Sequence, residues 1–191
     1  MRELCFIDVE TTGAVFGHHE IIEIGVVRTS QDAASVKTDW SRRVRPRHPE
    51  RISPAALKVN GYSAELWASA QELSRQLWVE FADVVRECTP VCHNPSFDRA
   101  FIGLSAAEHG VADLGMDYHW IGTESLAWPL YRYGVLEQFS LETLCSFLEV
   151  EVEPNPHNAL DGARACWRVY RVLMMRYKDL AIGQHGAGVT G

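Results

Sequence analysis

The sequence predicts an α/β fold, a mixed five-stranded sheet flanked by helices. Three observations carry this. Apolar, β-branched runs separated by turn residues fill the N-terminal part, with LCFIDV at 4–9 and EIIEIGVVRT at 20–29, as strands do. From Ser53 onward, cap residues introduce runs with helical spacing, and short extended runs recur between them. With 191 residues, 47% of them hydrophobic, and no internal repeat or linker, the chain can bury one substantial core without disulfides. Strands first and helices alternating with strands afterwards is the order of a mixed sheet with helices on its faces. Residues 1–180 are expected to form one domain, and 181–191, which end in GQHGAGVTG, a flexible tail.

Taken in order, strands 4–9 and 20–29 enclose the turn segment ETTGAVFGHH, and a third strand over 36–44 completes an antiparallel meander. Ser53-Pro54 starts a short helix that stops near Asn60-Gly61. Ser63 and Glu65 then open a longer helix, apolar at Leu66, Leu73, Leu77, Val84 and Val85. TPVCHN at 89–94 is a short strand ending in a cap residue, followed by a helix over 96–109. A strand near 119–121, a helix from Thr123, another over 140–150 and a long one over 157–177 complete the chain.

The bulk properties exclude several function classes. The N-terminus MRELCFIDVE has neither the apolar run nor the cleavage site of a signal peptide, and no stretch approaches the roughly 20 apolar residues of a membrane span. A soluble, cytoplasmic protein without a membrane partner is the expectation. Five scattered cysteines without a CxxC pair suggest core residues, not a disulfide framework or a zinc knuckle. A net charge of −7 argues against coating long nucleic acid, but not against gripping a few nucleotides through metal ions. Arginines cluster at 42, 43, 45, 47 and 51, either as a phosphate-contacting edge or as a solvated strand edge. Those at 164, 168, 171 and 176 read as the polar face of a helix. The tryptophans fall mostly in core patterns, and the histidines other than His157 form no metal cluster.

In FIDVETTG, residues 6–13, strand alternation sets the Asp8 and Glu10 carboxylates side by side. Two anions so close repel unless a cation sits between them. Oxygen-only ligands favour a hard ion such as Mg2+ or Mn2+. Asp98 enters from HNPSFDRAFI at the beginning of a helix, and PHNALDGARA at 156–165 places His157 before Asp161. Each of the last two segments read alone also fits a helix cap or dipole role.

Together, FIDVETTG, HNPSFD and HNALDGARA resemble the three motifs of the DEDDh family of 3′-to-5′ exonucleases, which includes ribonuclease T, oligoribonuclease and the proofreading subunit of bacterial DNA polymerase III. RISPAALKVNGYS and FSLETLCSFLEVEV extend the likeness over most of the chain. The resemblance implies a ribonuclease H-like fold and hydrolysis of single-stranded DNA or RNA from the 3′ end to nucleoside monophosphates. It further implies two divalent ions about 3.5–4 Å apart, held by Asp8, Glu10, Asp98 and a fourth aspartate, with His157 as general base. Thr11, Thr12, Gly13, Phe16 and Asn94 are the implied substrate contacts. Many members dimerise, so a homodimer is compatible with the resemblance.

One position departs from the pattern. The fourth aspartate normally stands five residues after the histidine, where this chain has Gly162, while Asp161 stands four residues on. At about 100° per residue the offset is a quarter turn or more of helix. If Asn155 capped the helix with Pro156 at its first position, Asp161 would lie nearly on the face of His157 and a shifted site would work. Otherwise the fourth ligand is missing and the protein binds nucleic-acid ends or a partner with impaired chemistry. A rival from another class reads Asp8, Glu10 and Thr12 as the nucleophile motif of haloacid dehalogenase-type phosphatases, with Asp113 and Asp117 as downstream acids. It requires an aspartate at position 10 and leaves the other two motifs unexplained.

Overall fold

The computed structural model describes residues 2–152 and 158–186, with side chains up to residue 179. In chain order the elements are β1 (Leu4–Thr11), β2 (Ile21–Thr29), β3 (Val36–Arg45), α1 (Pro54–Asn60), α2 (Ala64–Trp67), β4 (Gln71–Glu72) and α3 (Arg75–Val85). There follow β5 (Thr89–Cys92), α4 (Pro95–Glu108), β6 (Ile121–Gly122), α5 (Thr123–Arg132), α6 (Leu141–Phe147) and α7 (Ala159–Gly186). The sheet order is β4-β3-β2-β1-β5-β6. β1, β2 and β3 form the expected antiparallel meander, whereas β5 runs parallel to β1 and β6 parallel to β5.

The sequence-based outline needs three corrections. The sheet has six strands, not five, because Gln71–Glu72 pairs in parallel with the end of β3. That strand also divides what the sequence suggested was one helix from Ser63. Trp67 is buried and its indole N–H donates to the Ile22 carbonyl at 3.0 Å, which pins the end of α2 to the sheet. Ser74 then caps α3 by accepting the Leu77 N–H, so the chain restarts instead of continuing, and Leu66 is left exposed. Lastly, α7 runs on to Gly186, so residues 181–186, expected in the tail, are helical.

Strand alternation divides the core into two faces. Ile7, Val9, Ile24, Val26 and Trp40 pack on one face beneath Leu77, Trp78 and Phe81 of α3 and Phe101 and Ile102 of α4. Leu4, Phe6, Val27 and Val91 pack on the other beneath Ala163 and Cys166 of α7. Asp8 and Glu10 share the parity of Leu4 and Phe6, so they belong to the α7 face. All five cysteines are buried and unbridged, as their scatter suggested. Among the described residues no helix is long and apolar enough to cross a membrane.

The seat of α7 is fixed by one glycine. Gly25 lies opposite Asp8 in the β1–β2 pairing. A Cβ built on Gly25 would stand 2.3 Å from the carbonyl carbon and oxygen of Ala159 and 2.4 Å from the Leu160 nitrogen. Helix and strand therefore meet backbone to backbone, and no side chain fits between them. Gly25→Ala is expected to destabilise the fold by about 1–3 kcal/mol, seen as a drop in melting temperature of roughly 2–4 °C per kcal/mol. An unchanged melting temperature would show that α7 has room to move.

Candidate active site

At the end of β1 the chain brings together four carboxylates. Asp8 and Glu10 stand on the α7 face and are partly buried. The β1–β2 register places Glu23 directly opposite Glu10 on that same face, and Glu23 is only 5% exposed. Asp98 comes from the first turn of α4, where Asn94 caps the helix by accepting the Ser96 N–H at 3.1 Å and Pro95 occupies the first position. It is 4% exposed.

These groups raise one another's pKa. Burial pushes Asp8 well above the usual carboxylate range, with Asp98, Glu10 and Glu23 adding to it. Burial, then the charge of Glu23, pushes Glu10 up to about 7. Asp98 is likewise pushed up to about 7, by burial above all and also by Glu10, against hydrogen bonds from the Cys92 thiol and the Val9 N–H. Glu23 is raised by burial, opposed by Arg43. The Arg43 guanidinium stays 3.8 Å from Glu23 Oε2, beyond hydrogen-bond length, and leans over the Trp67 ring. Among the described residues, Glu23 Oε2 accepts no hydrogen bond.

The helix start differs from the alternative that would have rescued Asp161. α7 begins at Ala159, and Asn158 caps it by accepting the Asp161 N–H at 3.0 Å. The Asp161 carboxylate in turn accepts from the Asn158 side chain and, at 3.1 Å, from Arg164, which also reaches Asp39 at 2.7 Å. Asp161 is thus engaged in the cap and in an ion-pair chain to β3. What this turn presents to Asp8 is the backbone of Gly162, where an added Cβ would lie 2.3 Å from Asp8 Oδ2. His157 lies outside the described residues.

The loop after β1 is built inward. Thr11 Oγ1 donates to the Gly13 carbonyl, and Thr12, fully buried, accepts the Glu20 N–H. Gly13 has φ +156°, and the His19 ring lies where its side chain would be, 2.5 Å from a built Cβ. Phe16 is 46% exposed and stacks against Phe101 and Phe97, with ring centroids 5.0 and 6.2 Å away. Of the expected substrate contacts, Phe16 offers an open apolar surface, whereas the Thr12 side chain and the Asn94 carbonyl oxygen hold the backbone.

Other sequence features resolve into local structure. Asp113 accepts the Gly115 N–H and Asp117 pairs with Arg2 and His119, and neither acts on Asp8 or Glu10. Arg42, Arg43, Arg45 and Arg51 each face a glutamate. Glu23 and Gly25 carry the site without having been singled out from the sequence. The available signal was a charged residue inside the apolar run EIIEIGVV.

A divalent cation suits this donor set. Four clustered carboxylates oppose one another, their donors are all oxygen, and among the described residues the cation paired with any of them is Arg43, 3.8 Å from Glu23. Among the described residues no three acidic, histidine or cysteine side chains already converge as a ready cage, so the fit rests on donor type and charge.

Comparison with known proteins gives the family and the fold. The Exonuclease family model, RNase_T, matches residues 5–170. The DNA polymerase III PolC-type protein of Caldanaerobacter subterraneus subsp. tengcongensis is 26% identical over 180 residues, 94% of this chain and 12% of that protein. The one from Thermotoga maritima is 27% identical over 176 residues, covering 92% and 12%. The chain therefore spans about an eighth of the length of these relatives. Among solved structures, E. coli Exonuclease I in complex with a dT13 oligonucleotide superposes with TM-score 0.80 at 15% identity, covering 94% of this chain and 42% of that one. The nuclease domain of 3′hExo, a DEDDh family member, bound to rAMP gives 0.69 at 18% identity and covers 92% of each. The fold is accordingly ribonuclease H-like, and the chain belongs to the Exonuclease family, RNase_T.

Proposed function

We propose that this chain is a metal-dependent exonuclease that removes nucleoside monophosphates from the 3′ end of single-stranded DNA or RNA. The observation that carries the reading is the carboxylate cluster of Asp8, Glu10 and Asp98, partly or fully buried around the end of β1, where burial and neighbouring carboxylates push these acids up. Its neighbours among known proteins, one with a bound oligonucleotide, support the substrate class.

Asp8, Glu10 and Asp98 would hold the ions. Bound there, two divalent ions would supply an acidified water and charge stabilisation at the leaving 3′ oxygen. The chain's own residues would do the rest. Phe16, backed by Phe97 and Phe101, offers a face for the terminal base. The inward hydrogen bonds of Thr11 and Thr12 hold that loop beside the carboxylates. His157, by its motif position, would take the proton of the attacking water. A second reading, an exonuclease fold that binds ends without cutting them, is favoured by one observation, the Gly162 backbone standing where the motif has an aspartate.

The two readings separate on 5′-labelled single-stranded DNA and RNA incubated with Mg2+, Mn2+ or chelator. A metal-dependent ladder from the 3′ end, reduced on the order of 10²-fold or more by Asp8→Ala, is expected. Binding without shortening in every metal would establish the second reading.

The raised pKa values give a stability test. Glu10 titrates at about 7 in the fold, above the ordinary value near 4.3 for a free glutamate. The fold therefore binds a proton that the unfolded chain has released. That stabilisation is full below the ordinary value and lost as pH rises to 7. In chelator, Glu10→Gln should melt above the native protein at pH 7.5 and near it at pH 5. Equal melting at both would mean that Glu10 is not frustrated.

Gly162→Asp adds a further anion against Asp8. It should lower the melting temperature in chelator and enlarge the rise produced by Mn2+, both relative to the native chain. A variant with native melting behaviour would show that Asp8 turns aside freely.

A further inference from the structure

The carboxylate least explained by the motifs is Glu23. It lies in the middle strand of the meander, in an apolar run, yet its side chain is 7% exposed and points to the α7 face that also carries Asp8 and Glu10. Its Oε2 accepts no hydrogen bond among the described residues, and the guanidinium of Arg43, half exposed and stacked over Trp67, stops 3.8 Å short. A buried carboxylate oxygen left this way costs free energy unless something else binds it. The turn of α7 facing the same carboxylates presents Gly162, with no side chain, and the neighbouring Asp161 is held by Asn158 and Arg164.

We propose that Glu23 supplies the fourth carboxylate of the metal site, from β2, where the motif would take it from α7 at position 162. Resting on the metal-dependent reading above, this assigns a ligand from outside the three motifs. Three features fit it together. The register sets Glu23 directly across from Glu10, so the two are cross-strand neighbours on the face that also carries Asp8. The Gly25 contact with Ala159 holds β2 and the start of α7 in fixed relation. Gly162 leaves the space that the Asp8 carboxylate occupies, because the three atoms nearest to a Cβ built there all belong to that carboxylate.

The test is Mn2+ binding, followed by titration calorimetry and by the Mn2+-induced rise in melting temperature, on the native protein, Glu23→Gln, Asp161→Asn and Asp8→Ala. Glu23→Gln keeps the shape of the side chain. It should raise the melting temperature in chelator, by removing a buried charge whose Oε2 accepts no hydrogen bond among the described residues, while weakening Mn2+ binding tenfold or more and cutting the Mn2+-induced rise. Asp161→Asn should bind Mn2+ within about twofold of native. If Glu23→Gln binds as tightly as the native protein, Glu23 is not a ligand. If Asp161→Asn loses binding instead, Asp161 is the fourth ligand, and the proposal is equally overturned. Failure of the underlying reading looks different. The native protein would then bind no Mn2+ at millimolar concentration and match Asp8→Ala.

Discussion

The contact on which the rest of this structure depends is the backbone approach of α7 to β2 at Gly25. A helix normally rests on a sheet through side chains, about 10 Å away. Here the first turn of α7 touches the strand itself. That proximity brings Gly162, in the first turn of α7, against the Asp8 carboxylate. Ala163 and Cys166 continue the close packing along Phe6 and Val27, and further along the helix the larger Tyr170 meets the Phe6 ring edge-on.

The same geometry concentrates negative charge. Asp8, Glu10, Glu23 and Asp98 are each pushed up by burial above all, and each is raised further by a neighbouring carboxylate. A cluster of this kind opposes folding and must be held by packing elsewhere. The opposite face of the sheet does this, with Trp78, Phe81 and Leu77 fully or almost fully buried beneath the meander. The division of labour follows from strand parity: one side of β1 contributes Ile7 and Val9 to the apolar core, the other contributes Asp8 and Glu10 to the site. Shifting the register by one residue would exchange the two sets.

How much of this could be read from residues alone varies with the range of the interaction. The pairing of Asp8 and Glu10 follows from two-residue alternation, and the arrival of Asp98 on a capped helix follows from Asn94-Pro95, so both are local. The break between α2 and α3 was not legible. Ser74 is compatible with a helix interior, and what stops α2 is a long-range bond from Trp67 to Ile22. Glu23 was missed for a related reason. Its position opposite Glu10 depends on the hairpin register, which is irregular at Glu10/Thr11 and joined by a nine-residue excursion that no short-turn rule fixes. Asp161 was weighed from an assumed helix start at Asn155. With Asn158 as the capping residue, the Asp161 carboxylate folds back on the cap and on Arg164 instead.

Taking a ligand from β2 alters the mechanics of the site as well as its composition. An aspartate at position 162 would follow any tilt of α7, so metal geometry would depend on helix docking. A glutamate on β2 shares a paired ladder with Glu10, and backbone hydrogen bonds on both edges of that strand fix the distance between the two Cα atoms. The longer side chain adds one rotatable bond, which loosens the carboxylate even as its base becomes more rigid. Arg43 then acquires a use beyond solubility. Standing 3.8 Å from Glu23 and half in solvent, it can screen the carboxylate in the metal-free chain without forming the direct hydrogen bond that an incoming cation would have to break. A strand-borne ligand, a screening arginine and a glycine opposite Asp8 thus form one consistent arrangement, in which the glycine accommodates the ligand's changed origin.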